Sequence, residues 1–246
     1  MTFAAIRKDP IINLSLYVLA TTGTIVGMMQ DWHGLVYVAK PSMLLILSVW
    51  FFYNSRRYGD RFTLLVQAGL LFSLVGDIAL MFQHLDEFNF LIGLAAFLIA
   101  QLCYAMAFAQ NAIDVGNIEG LWVSILIAVA LLAYGFFFSF DLIKYLDDAL
   151  LIPVVSYIVA ILGMGIAAGF RFRRTFSRSF WMVFGGALLF IASDSLLAMN
   201  RFVRPIHLAD LWVMLPYAGA QVLITAGCLE HVLDPEEIRR RQAIRA

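Results

Sequence analysis

Charge is what this sequence has least of. Only 14% of its 246 residues are Asp, Glu, Lys or Arg, about half the share carried by a soluble domain. The polar stretches between its apolar runs are too short to hold a water-soluble domain. The charges cancel to a formal net charge of 0, which removes any bulk electrostatic case for nucleic acid as a partner. Cysteine is nearly absent. Cys103 and Cys228 lie inside apolar runs with no partner spacing, and they read as small packing residues. The sequence contains no Gly-x-Ser-x-Gly, and no histidine is expected within a span, so nucleophilic serine hydrolysis has no support.

What is present is apolar: 62% of the residues are hydrophobic and the mean hydropathy is +0.86. Runs of about 20 apolar residues mark membrane-spanning helices. Eight are predicted, at 11–29, 34–54, 62–83, 88–110, 121–140, 150–170, 180–199 and 211–231. The fold class is therefore an all-α integral membrane protein, one bundle of eight transmembrane helices over residues 1–233. The first run follows Arg7 and Lys8 like a signal peptide. It is longer than a signal core and ends without a small-x-small cleavage site, so it is taken as a span. An even count puts both termini on one side, where 13 of the Lys and Arg residues fall, against 3 on the other. The positive-inside rule then makes the termini cytoplasmic and the protein a multi-pass protein of the cell membrane. Residues 234–246 form a short basic tail, with Asp234 and Pro235 as helix-start signals and its Arg residues placed to meet anionic lipid.

Two of the spans carry a carboxylate well inside their ends, Asp77 and Asp194. An ionisable group near the middle of a bilayer costs several kcal/mol and is a functional hypothesis by default. From the helical rise, Asp77 lies about 22 Å and Asp194 about 21 Å from the cytoplasmic face. Lys40 comes to about 9 Å below the outer face, nearly the same depth. Tyr157 and Tyr217 reach a similar level, and Ser73 lies one turn before Asp77 on the same face. Equal depth is what a shared polar cavity open to the outer leaflet requires. Each residue also has a plainer reading. Lys40 snorkels to the interface unaided; the acids act as structural glue with Lys40 or serines; the tyrosines belong to an interfacial belt; Ser73 bonds its own backbone. Pro41 removes a backbone hydrogen bond beside Lys40, and such breaks line cavities or are repaired by neighbours. Pro41 and Asp77 are echoed by Pro153 and Asp194, a weak four-plus-four internal repeat.

Two carboxylates at one depth in a low-dielectric pocket, with a lysine beside one, suit acid-assisted cleavage of an ether or acetal-like bond. One donates a proton, and the other stabilises an oxocarbenium ion or activates water. Zinc hydrolysis is the competing chemistry, since His33, His84 and His207 fall on the outward side. Their loop positions lack ligand spacing, so they read as solvated or interfacial residues and no metal is assigned. A different class, a proton-coupled carrier of a lipid or small amphiphile, would use the same acids to bind and release protons.

Several segments together resemble a known family. They are Lys40-Pro41, Ser73-Leu-Val-Gly-Asp77-Ile-Ala-Leu80, Gly93-Leu-Ala-Ala-Phe97 with Tyr104, Ser193-Asp194-Ser-Leu-Leu-Ala198 and Tyr217-Ala-Gly-Ala-Gln221-Val-Leu-Ile224. Their order and spacing, from the second span to the eighth, resemble the YhhN-like family, which includes the lysoplasmalogenases. The resemblance implies a multi-pass hydrolase that cleaves the vinyl ether bond of lysoplasmalogen to a fatty aldehyde and a glycerophospho-base. It implies Asp77 and Asp194 as the catalytic pair; Lys40, Ser73, Tyr157, Ser193, Tyr217 and Gln221 are the candidate substrate-binding or supporting residues. The implied partners are a lysophospholipid substrate and membrane lipids, and no cofactor is implied. One departure is Gln101, where the family leads one to expect a histidine three residues before Tyr104; it weakens a metal-dependent reading.

Overall fold

A computed structural model describes residues 7–56, 59–114 and 119–234. The described residues form eight α-helices: α1 Pro10–Met29, α2 His33–Ser55, α3 Arg61–Met81, α4 Glu87–Asp114, α5 Leu121–Leu142, α6 Asp148–Gly169, α7 Ser177–Ala198 and α8 Ala209–Leu233. A 3-10 turn, Ile143–Tyr145, follows α5, and a π-helical turn, Met199–Val203, prolongs α7. All eight helices are long and apolar enough to cross a membrane, and they start and stop within a few residues of the predicted spans. The tail at 235–246 lies outside the described residues.

Helix starts follow local chemistry. Asp9 accepts hydrogen bonds from the amides of Ile11 at 2.8 Å and Ile12 at 3.1 Å, with Pro10 in the first helical position. Asp60 caps α3 by accepting from the Thr63 amide at 3.0 Å. Each cap satisfies amides that the first turn leaves without partners.

The expectation that histidine stays out of the spans is overturned at both ends of the chain. His33 opens α2, and His231 lies buried in the last turn of α8. The reason at His231 is local. Its two ring nitrogens lie 3.0 Å from Asn111 Nδ2 and 3.0 Å from Thr175 Oγ1, so the helix carries a polar ring inside the protein and runs on to Leu233. Cys103 and Cys228 are free and buried, as packing residues should be.

The helices pack in a ring in the order α2, α3, α4, α6, α7, α8 and back to α2, with α1 outside against α2 and α8, and α5 outside against α6. The two halves therefore follow the same scheme: α3 packs on α4 as α7 packs on α8, and α4 meets α6 as α8 meets α2. With lipid as the outer solvent, interhelical attraction comes from close packing and small interfacial residues rather than from water exclusion. Gly186 shows how close this is. A Cβ there would sit 2.9 Å from the Ala220 carbonyl oxygen and 3.0 Å from the Ile224 amide. The outer surface is apolar, as hydrocarbon demands; α5 presents Trp122, Phe137 and Phe140 outward.

Candidate active site

Three ring helices contain a proline, at 41 in α2, 153 in α6 and 216 in α8. A proline removes one ladder hydrogen bond and leaves a carbonyl free. In this bundle each proline accompanies a polar side chain turned inward. Lys40, next to Pro41, brings its ammonium within 3.5 Å of Asp77 Oδ1. Tyr217, next to Pro216, donates to Asp77 Oδ2 at 2.7 Å. Tyr157, one turn beyond Pro153, donates to Asp194 Oδ2.

Asp77 is held from two sides and is only 2% exposed, with Lys40 at 8%. Behind it runs a chain of weaker bonds: Gln221 Nε2 donates to the Tyr217 hydroxyl at 3.3 Å, and the Tyr104 hydroxyl donates to Gln221 Oε1 at 3.3 Å. Asp194 is only partly buried and has no cation within 4.0 Å among the described residues. Asp77 is near enough to bear on it electrostatically. The two acids thus share a chamber in unequal surroundings, one charge-compensated and one not.

The chamber is a cavity of about 220 Å³. Its polar centre is Lys40, Asp77, Tyr157, Asp194 and Tyr217, and Leu80, Leu94, Phe97, Ile158 and Leu162 are among its apolar walls. At the end of the bundle where α7 turns into α8, its rim is made by Gln83, Asn200, Arg201 and Asp210. On another side the peripheral helix α5 closes it: Tyr134 donates to Ser195 Oγ at 2.6 Å. Few polar groups in a mostly apolar concavity is the usual form of a ligand site.

The structure brings five of the eight residues singled out from the sequence to that polar centre. A sixth, Ser193, lines the cavity but commits its hydroxyl to the Val213 carbonyl at 2.9 Å. Gln221 stands behind Tyr217 rather than in the cavity. Ser73 is fully buried off the cavity, its hydroxyl without a hydrogen-bond partner among the described residues. Gln101 is also fully buried, and it approaches the Tyr157 hydroxyl without hydrogen-bond geometry. His33 and His84 stack with ring centres 6.3 Å apart. No group of three His, Cys, Asp or Glu side chains suited to a metal occurs among the described residues. Among the polar cavity residues that escaped the sequence reading are Tyr134, Ser195, Arg201 and Asp210. A lone serine or interfacial tyrosine gives no signal, and Arg201 and Asp210 read as ordinary loop charges.

A ring of membrane-spanning helices around a chamber with two carboxylates defines a polytopic membrane protein with an intramembrane acid site. The chain belongs to the YhhN family, whose sequence model matches residues 35–228. It is 31% identical over 202 residues to the human protein named lysoplasmalogenase TMEM86B, covering 81% of this chain and 76% of that one. It is 31% identical over 178 residues to bovine lysoplasmalogenase TMEM86A, with 71% and 69% covered. A lysoplasmalogenase of Mycobacterium bovis is 34% identical over 140 residues, 56% of this chain and 50% of that one. No solved structure gives a significant match.

Proposed function

We propose that the protein is a membrane-embedded hydrolase that cleaves the vinyl ether bond of lysoplasmalogens to a fatty aldehyde and a glycerophospho-base. It acts in the cell membrane with both termini in the cytoplasm, the side favoured by its basic residues. The observation that carries the reading is the pair of acids, Asp77 and Asp194, on one apolar cavity, of which only Asp77 has a cation beside it among the described residues. The names of the relatives fit the same chemistry.

A vinyl ether is cleaved by protonating its β carbon, which leaves an oxocarbenium ion at the carbon bonded to oxygen. Asp194 supplies that proton. With no cation to compensate a charge in a low-dielectric site, it rests as the neutral acid. Asp77 carries the negative charge, compensated by Lys40 and bonded by Tyr217. That charge stabilises the oxocarbenium ion and then accepts a proton from the water that adds to it. As the hemiacetal collapses to aldehyde and free sn-1 alcohol, its hydroxyl proton returns to Asp194 and Asp77 gives the proton it took from water to the departing glycerol oxygen, which restores both acids. The apolar walls take the single tail, and the polar rim takes the head group.

The test is aldehyde release from lysoplasmalogen by detergent-purified protein. Asp77→Asn and Asp194→Asn should each abolish release while the helical content stays native-like. A fully active double variant refutes the assignment. Wild-type protein that makes no aldehyde but moves lysolipid across sealed vesicles would be a carrier.

A further inference from the structure

Two cationic side chains line the cavity, Lys40 and Arg201. Lys40 is engaged by Asp77. Arg201 stands in the π-helical turn, seven residues beyond Asp194, or about 10 Å nearer the rim by helical rise. Such π turns are frequent at functional sites. The guanidinium carbon lies 3.7 Å from the centre of the Phe90 ring, and Nη1 donates to Gln83 Oε1 at 2.9 Å. No carboxylate comes within 4.0 Å of it among the described residues. The side chain is thus held in place, exposed at the rim, with no salt bridge among the described residues, the Glu87 carboxylate bearing on it only from further away, and most of its donors unused.

Asp210, in the first turn of α8, lines the same cavity. It is exposed and likewise has no cation within 4.0 Å among the described residues. The chain reaches it through Leu208, whose backbone is left-handed with φ 55°. That conformation costs about 1–2 kcal/mol for an ordinary residue, and it starts α8 close to the rim. One rim therefore presents a fixed cation and an anion that do not neutralise each other.

We propose that Arg201 and Asp210 form a head-group site for a zwitterionic phosphate ester, Arg201 taking the phosphate and Asp210 the ammonium of the base. This rests on the hydrolase reading above. The planar guanidinium matches the two free oxygens of a phosphodiester, and stacking on Phe90 pre-orders it, so little entropy is lost on binding. The phosphate and the sn-1 ether oxygen of a lysolipid are separated by the three glycerol carbons. The long arginine side chain bridges what remains of the distance between rim and acids. Anchoring the phosphate fixes which carbon of the enol ether faces Asp194, so Arg201 and Asp210 act as positioning residues.

The experiment uses the full-length protein and three substrates with one alkenyl chain: 1-alkenylglycerol, its 3-phosphate, and the ethanolamine ester of that phosphate. Arg201→Gln should raise KM for both phosphate-bearing substrates about 10- to 100-fold, the range for a hydrogen bond to a charged group. The loss on 1-alkenylglycerol should be far smaller, and Arg201→Lys should recover part of it. Asp210→Asn should erase the preference for the ethanolamine ester over the bare phosphate. An equal loss on all three substrates means a structural role and overturns the proposal, as does an unchanged KM. A second readout does not need turnover: the non-cleavable 1-alkyl glycerophosphoethanolamine should raise the melting midpoint of wild type and not of Arg201→Gln. If wild type releases no aldehyde from any substrate, the hydrolase reading fails. The head-group site then stands or falls on that melting shift alone.

Discussion

Replacing Lys40 with methionine keeps length and bulk and removes only the charge. Lys40 is 8% exposed and Asp77 2%, and they are 3.5 Å apart. Removing one member of a buried pair costs roughly 3–5 kcal/mol, because the other charge is left without partner or water. The Tyr217 hydrogen bond to Asp77 is present before and after and drops out of the difference. For a chain of this length each kcal/mol moves the melting midpoint by about 2–4 °C, so Lys40→Met should lower it by about 6–20 °C. Asp77→Asn should cost a similar amount by leaving a buried ammonium alone. With both charges gone, the double variant should lose less than the sum by about 1–3 kcal/mol. The assay is a tryptophan-fluorescence melt of detergent-purified single and double variants, with circular dichroism to check helicity. Additivity within about 0.5 kcal/mol, or an unmoved midpoint for Lys40→Met, would place the ammonium in interfacial water and refute the pairing.

Three further outcomes are expected. Tyr157→Phe removes the donor to Asp194 and should lower kcat for aldehyde release about 10- to 100-fold, with the melting midpoint nearly unchanged; full activity would show that the acid needs no orienting hydroxyl. Gln101→Leu removes two buried polar atoms that have no hydrogen-bond partner among the described residues, so the melting midpoint should rise, by up to the about 1–3 kcal/mol such groups cost; a fall would show that the amide is paired. Arg171 lies outside the spans, between α6 and α7, fully buried, with its Nη2 donating to Ser179 Oγ at 2.9 Å, and burial pushes its guanidinium down to about 10. The unfolded chain therefore holds this proton more tightly, its charge opposes folding below about pH 10, and the opposition fades as pH rises toward the ordinary arginine range. Melting midpoints between about pH 9 and 11 should rise more steeply, or fall less, in wild type than in Arg171→Gln; parallel slopes would contradict this.

The spans were legible because hydrocarbon permits few alternatives: about 20 apolar residues at helical rise must cross it. Depth was legible for the same reason, since counting residues from a face puts Asp77, Asp194 and Lys40 at one level. Azimuth was not. Residue counting says nothing about which way a helix faces, and chain order misleads about neighbours, because α4 packs against α6 while α5 stands outside the ring. Tyr134 therefore looked like any interfacial tyrosine, although it reaches Ser195 beside the second acid. Ser73 shares a face with Asp77 and still misses the cavity, being a turn deeper where that face of α3 is fully buried. Arg201 was hidden for another reason: the run carrying Asp194 reads as ending near residue 199, and only the π turn carries the helix on and keeps that arginine on the cavity side.

A better signal was present at Pro41, Pro153 and Pro216. The polar residues that reach an acid from α2, α6 and α8 are Lys40, Tyr157 and Tyr217, each within about one turn of a proline in its own helix. A proline in a membrane helix must have its freed carbonyl answered by neighbouring helices or by a polar cavity, so it marks where the ladder is already open and a polar side chain can be tolerated. Tyr134 lies in a helix without proline, and it touches the site only at its edge. In this bundle the proline, more than the tyrosine or lysine itself, separates a residue of the chamber from one of the interfacial belt.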